Sequence, residues 1–206
     1  VLRQELDRRR QGYYIVSRAS CLPFAGTKGF EGATECGCQR FVSESFNWAA
    51  THGVKTVVIA ARFSNYLRGA RFDNGEGGVE SGPCEFVDLR THGRTRCTDL
   101  ERRKRVLALY ETRIRELAKS FNIVLVYPIP EAGWDVPIYG FKKAYFRGDA
   151  TSLTTSYPLY RSRTKEVRQL FDRLSADLSN VYPARAYTEL CDERSLRCLN
   201  ADRNGV

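Results

Sequence analysis

Three short runs of the chain are apolar at nearly every position: Tyr13-Tyr-Ile-Val16, Thr56-Val-Val-Ile-Ala-Ala61 and Ile123-Val-Leu-Val-Tyr127. Rich in β-branched and aromatic residues and without polar alternation, each reads as a buried strand. Between and after them apolar residues recur three and four apart. Residues 40–51 carry Phe41, Phe46, Trp48 and Ala49, residues 98–121 carry Leu100, Val106, Leu107, Tyr110, Ile114, Leu117 and Phe121, and residues 155–178 carry Leu159, Val167, Leu170, Phe171, Leu174 and Leu178. That spacing predicts three helices. A short strand is expected near 184–188. Leu2 and Leu6, four apart with charges between them, suggest that residues 1–10 belong to an amphipathic helix met partway along. Alternating strands and helices imply a mainly parallel sheet with helices on both faces, a flavodoxin-like three-layer αβα sandwich. Loops leaving the carboxyl ends of such strands form the ligand site. Residues 17–24, 62–66 and 128–137 are therefore where chemistry is expected.

Length and composition fit this picture and narrow it. At 206 residues and 42% hydrophobic, the chain suits a single α/β domain, residues 1–206, with a real core. It contains no apolar run long enough to span a bilayer, and its start lacks the pattern of a signal peptide. The absence of an initial Met suggests a fragment of a larger protein. The net charge of +9 would suit an anionic glycan, a membrane surface or a nucleic acid. Most of the basic residues, however, are interleaved with acids in helical stretches, where a solvated face explains them. No RNP, helix-turn-helix or zinc-finger pattern accompanies the charge, so nucleic acid is not expected as a partner.

Seven cysteines fall into local groups: Cys21 with Cys36 and Cys38, Cys84 with Cys97, and Cys191 with Cys198. Local pairs in loops suit disulfides formed in an oxidising compartment, with Cys36 the expected leftover. Zinc and reduced thiols are the other readings. The C-x-C spacing of Cys36 and Cys38 is not the usual zinc pattern, and His52 and His92 stand apart from it. No metal and no cofactor is expected. The Gly-rich stretch 69–82 follows no strand directly and lacks the lysine signature of a phosphate loop, so it reads as a mobile surface loop.

After the third apolar run the chain reads Val126-Tyr-Pro-Ile-Pro-Glu-Ala-Gly-Trp-Asp-Val-Pro137, and the second run ends Val57-Val-Ile-Ala-Ala-Arg62-Phe63. Together with Ser20-Cys21-Leu-Pro23 ahead of Cys38 and Phe46-Asn47, and with Leu190-Cys191 ahead of Cys198, these segments resemble the SGNH domains fused to acyltransferase family 3 membrane proteins. The resemblance spans nearly the whole chain. It implies the SGNH hydrolase fold in truncated form, because two of the family's blocks are missing. One is the Gly-Asp-Ser-His turn that supplies the nucleophile, and the other is the Asp-x-x-His that supplies acid and base. A serine needs a base within hydrogen-bond reach and a third group to orient that base, so no catalytic residue is assigned and the fragment alone is expected to be inactive. Asp88 and His92 have the wrong spacing to substitute. His52, following a helix, reads as a capping or surface residue.

The resemblance further implies a parent O-acyltransferase on the periplasmic or extracellular face of the inner membrane. Its membrane-embedded domain would pass an acyl group, acetyl above all, to a hydroxyl of lipopolysaccharide or another surface polysaccharide. A secreted SGNH carbohydrate esterase and a noncatalytic glycan-binding domain are the alternatives. What could remain here is the oxyanion and substrate wall, for which Ser20, Arg62, Asn65, Glu131, Trp134 and Asp135 are the candidates. SGNH hydrolases place an oxyanion-hole Asn after a central strand, and here that strand end holds Arg62. It could donate to an oxyanion or an anionic sugar, or pair with an internal carboxylate such as Glu131 or Asp135. Trp134 beside two acids could stack on a sugar ring. Pro128, Pro130 and Pro137 could equally make the loop a rigid brace with Trp134 packed inward.

Overall fold

The computed structural model describes residues 2–19, 21–24, 30–31, 34–35, 37–69, 71–80, 100–149 and 151–201. In chain order the elements are α1 (Leu2–Arg8), β1 (Phe30–Glu31), β2 (Thr34–Glu35), α2 (Cys38–Thr51), β3 (Thr56–Ile59), α3 (Phe63–Arg68), α4 (Leu100–Leu117) and β4 (Asn122–Val126). They continue as α5 (Val136–Arg147), β5 (Leu153–Ser156), α6 (Tyr157–Asp177), β6 (Val181–Ala184), α7 (Tyr187–Leu190), β7 (Cys191–Asp192) and β8 (Arg197–Ala201). Among the described residues no helix is long and apolar enough to cross a membrane.

Strands β3, β4 and β6 form a parallel sheet in that order, in register from Thr56 opposite Asn122 to Val126 opposite Ala184. The chain is thus a mixed α/β domain, as its alternating pattern predicts. A successive-residue pleat sends Ile59, Ile123, Leu125 and Val181 to one face, where they are buried among Phe63, Leu67, Val106, Tyr110, Ile114, Leu170, Phe171 and Leu174 of α3, α4 and α6. Each such side chain contributes about 1.5–3 kcal/mol by leaving water. On the other face Val58 is 49% exposed and Tyr182 48%. The far edge of β3 pairs with no strand among the described residues. Residues 13–16, expected as a strand, form none: Tyr14 and Ile15 lie exposed, with Tyr14 against Trp48 of α2.

The expected helices appear with shifted ends: α2 starts two residues earlier than expected, and α4 and α6 are trimmed at both ends. Residues 155–156 belong to β5, and Ser156 caps α6 by accepting from the Leu159 N–H, ahead of Pro158 in the first turn. The strand expected at 184–188 lies at 181–184, and α7 follows it. The pattern reading missed α5, although Asp135 as N-cap and Pro137 in the first turn are sequence signals of a helix start. A second, antiparallel sheet of β5, β8 and β7 carries the Cys191–Cys198 disulfide. The Cys21–Cys38 disulfide ties the segment before β1 to the first turn of α2. Cys38 is therefore no thiolate, which removes it from the zinc reading. Cys36, Cys84, Cys97, Asp88 and His92 lie outside the described residues.

Candidate functional site

The carboxyl ends of β3 and β4 lie side by side, and each releases a loop that turns directly into a helix. Arg62 is the last residue before α3. Its position is fixed from below, because α3 is held at its far end by two arginines. The fully buried Arg102 donates to the Tyr66 and Leu67 carbonyls, and Arg68 donates to the Ser162 and Arg163 carbonyls of α6. Cations on the last carbonyls of a helix satisfy orphan acceptors and complement the helix dipole.

From that anchored start the Arg62 guanidinium donates through Nη2 to both Glu80 carboxylate oxygens, at 2.7 and 2.9 Å, and to Glu131 Oε1 at 2.6 Å. Glu131 in turn accepts from Arg163 Nε. Arg163 lies over the Phe72 ring, 4.9 Å from its centroid. Arg62, Glu131 and Arg163 therefore form a chain of alternating charge across three segments that are far apart in sequence. Burial works against the Arg62 cation, but its bonds to Glu80 and Glu131 outweigh this and hold its pKa above the ordinary arginine value. It stays charged at every physiological pH. Of the two roles open to Arg62, the structure places it in ion pairs with Glu131 and Glu80. Its side chain nonetheless remains nearly half exposed, so one face is available to an anion.

The Gly-rich stretch differs from its reading as a mobile loop. Residues 71–80 turn back on themselves through the Asp73–Val79 bridge and clip onto the loop after β4. Buried Asn74 is central to this: its amide donates to the Ala132 carbonyl at 2.7 Å, while its oxygen accepts from the Glu76 and Gly78 N–H groups. The backbones approach so closely that a Cβ on Gly133, whose φ is +78°, would stand 2.5 Å from the Gly78 carbonyl oxygen. Arg197 of β8 closes the far side through a two-pronged bond to Glu76, which holds that carboxyl below the usual range.

Between the two loops opens a cavity of about 440 Å³ lined by Arg71, Val79, Glu80, Trp134 and Asp135 with the backbone at Gly77 and Gly133. Such a volume is within the range of small-ligand sites. Trp134 is half-buried and stacks on Tyr139 of α5 at 4.6 Å and 13°, so it is neither packed wholly inward nor free. Asp135 caps α5 by accepting from the Ile138 N–H, with its side chain exposed. Asn65 is buried within α3 and does not open onto the cavity wall. Ser20 lies outside the described residues. The structure thus gathers Arg62, Glu131, Trp134 and Asp135 at one end of the sheet and leaves Asn65 beneath it. His52 ends α2 as its C-cap, with Nδ1 2.9 Å from the Trp48 carbonyl and its ring stacked on Trp48, the capping role expected of it.

Sequence reasoning did not find Glu80, Asn74, Arg71 or Arg163. Glu80 and Asn74 stood in a stretch read as surface loop, and Arg163 looked like one of many cations on a solvated helix face. The Asn-Gly-Glu-Gly-Gly run was a signal for close backbone approach.

The whole chain, residues 1–206, matches the family model described as "SGNH domain (fused to AT3 domains)". Comparison with curated proteins and with solved structures returned no match.

Proposed function

The chain belongs to the family of SGNH domains fused to AT3 domains, and from that premise we propose that it is the extracytoplasmic part of an O-acyltransferase acting on a bacterial surface polysaccharide. In this reading the membrane-embedded AT3 domain of the same protein supplies an acyl group, acetyl above all, and the SGNH domain delivers it to a glycan hydroxyl. Lipopolysaccharide and other envelope glycans are the acceptor class, on the periplasmic or extracellular side of the inner membrane. Two disulfides among the described residues favour an oxidising compartment over the cytosol.

One observation carries the assignment of the acceptor site: the cavity at the carboxyl ends of β3 and β4 is lined by Trp134, which stacks on Tyr139, and by the carboxylates of Asp135 and Glu80, and the Glu80 carboxylate is held by the fixed cation Arg62 beside it. Trp134 offers a face to a pyranose ring, Asp135 and Glu80 accept its hydroxyls, and Arg62 donates to a sugar acid or to the oxyanion of a tetrahedral intermediate. Oxyanion donors work by being held in place before charge develops. The Glu80–Arg62–Glu131–Arg163 chain does this for Arg62. The edge of β3 that pairs with no strand among the described residues, and the half-exposed sheet face beside it, support a further part of the reading, in which other segments of the parent protein complete the sheet and bring the catalytic Ser, Asp and His to this end.

Binding of de-O-acetylated surface polysaccharide to the 206-residue chain, followed by saturation-transfer NMR, tests the acceptor site. Transfer to Trp134 and Tyr139 resonances is expected, with affinity falling about tenfold in Trp134→Ala. Equal binding by that variant would contradict the site. The same chain is expected not to turn over p-nitrophenyl acetate, and turnover abolished by His92→Ala would contradict the assignment of catalysis to other segments.

A further inference from the structure

Helix α5 is built inside out. It has twelve residues and none of them is buried. Its inward side is half-buried Val136, Tyr139, Gly140 and Lys143: Tyr139 stacks on Trp134, Gly140 approaches Leu153 of β5, and Lys143 reaches the Thr151 hydroxyl and Asp149. Its other large apolar side chains point away from the domain. Phe141, Tyr145 and Phe146 are 63%, 72% and 71% exposed, and Ile138 is also exposed. Phe141 and Tyr145, four apart, stack on each other at 5.5 Å, and Tyr145 meets the edge of Phe146. Ile138, Phe141 and Tyr145 thus form one outward stripe, because residues three and four apart share a helix face.

The charge on this helix has one sign. Lys142, Lys143 and Arg147 lie within it, and no Asp or Glu does. Lys143 is engaged by Asp149, whose carboxyl is held down at about 2, first by its bonds to Thr151 and then by Lys143. Lys142 and Arg147 have no ion-pair partner among the described residues. A folded domain ordinarily spends an aromatic stripe on its own core. Here the fold turns it outward, at the rim of the cavity, since Tyr139 of the same helix stacks on Trp134.

We propose that the outward face of α5 is a membrane-surface anchor that inserts among the headgroups of an anionic lipid bilayer. Phenylalanine and tyrosine with flanking lysine and arginine are the composition of helices that lie in the plane of the interface, apolar side chains dipping below the headgroups and cations on anionic phosphates. At twelve residues α5 is about 18 Å long, enough to lie in that plane and too short to span it. Binding would bring the cavity at the start of α5 to the membrane surface. The inference rests on the helix alone and stands whether or not the transfer reading holds.

Cosedimentation of the 206-residue chain with vesicles of phosphatidylcholine mixed with phosphatidylglycerol tests it. Partition into the mixed vesicles is expected to exceed that into pure phosphatidylcholine. It should fall about tenfold or more in Phe141→Ser/Tyr145→Ser/Phe146→Ser, and likewise in Lys142→Gln/Arg147→Gln. The side chains changed are exposed, so helical circular dichroism should be unaltered. The basic chain offers an internal control: neutralising Lys104 of α4 should leave partition unchanged. Failure to bind, or equal binding by the aromatic variant, would overturn the proposal. So would a dimer in sedimentation velocity that the aromatic variant dissolves, which would make a second copy the occupant. In the full-length protein a photo-crosslinker at position 145 is expected to label lipid, and labelling of the AT3 domain instead would also overturn it.

Discussion

The parallel sheet presents two faces made from alternate residues of the same three strands, and they meet opposite environments. Ile59, Ile123, Leu125 and Val181 are sealed under α3, α4 and α6, while Val58 and Tyr182 stand about half open on the reverse. Yet the strands are apolar at both parities, Val57-Val-Ile59 and Ile123-Val-Leu-Val126. Residues apolar at both parities are the mark of a sheet covered on both sides. A half-solvated sheet would alternate with polar residues. Cover and composition are therefore separate facts: the described residues supply one layer, and the strand chemistry is written for two. The carboxyl end lies between these extremes, sealed by polar bonds instead of apolar ones.

The largest effect should come from the closed face. Leu125→Ala leaves a cavity beneath α6 and is expected to cost about 2–5 kcal/mol in urea unfolding, whereas a loss below about 1 kcal/mol would break the distinction between the faces. Next is the polar seal. Asn74→Ala strands the Ala132 carbonyl and two N–H groups, and is expected to cost about 1–3 kcal/mol and to loosen hydrogen-exchange protection of residues 76–78 and 132–134. Unchanged protection would mean that the Gly-rich turn holds itself.

The third effect is a pH dependence on the closed side. Burial and then donation to Asp172 push the Tyr127 phenol up to about 12. A folded-state value above the unfolded one means that folding favours the protonated form, and unfolding releases a proton between the two values. The associated stability is whole below pH 10 and is lost as pH rises toward 12. Tyr127→Phe should flatten part of that alkaline decline, and an identical slope would contradict the assignment. The smallest effect belongs to the open face, where Val58→Ser is expected to change stability by less than about 0.5 kcal/mol. A cost above about 1 kcal/mol would show that this face is covered in solution.

Much of this architecture could be read in the sequence because helix and strand periods are local. The runs at 56–61 and 123–127 and the stripe from Val106 to Leu117 carry their geometry with them. Residues 13–16 misled because apolar character alone does not make a strand: a strand also needs a neighbour's backbone to pair with. Helix α5 was missed for the opposite reason, since its apolar stripe faces outward and its start signals, Asp135 and Pro137, were absorbed into the reading of a proline-braced loop. At the site, the turn after each strand was legible from topology, and so Arg62 and Glu131 could be named. Their partners could not. Glu80 and Arg163 meet them only through tertiary folding, and no local pattern distinguishes Arg163 from the other cations of α6. Asn74 acts through three backbone bonds, which leave no trace in residue type beyond the surrounding glycines.

We propose above that this end of the sheet receives the glycan to which an acyl group is transferred. The most direct measurement is the O-acetyl content of surface polysaccharide, read by proton NMR, in cells whose full-length protein carries Trp134→Ala or Arg62→Ala at unchanged abundance. The content is expected to fall about tenfold or more. Content that holds steady would contradict it, and content that rises would replace transfer with removal of acyl groups.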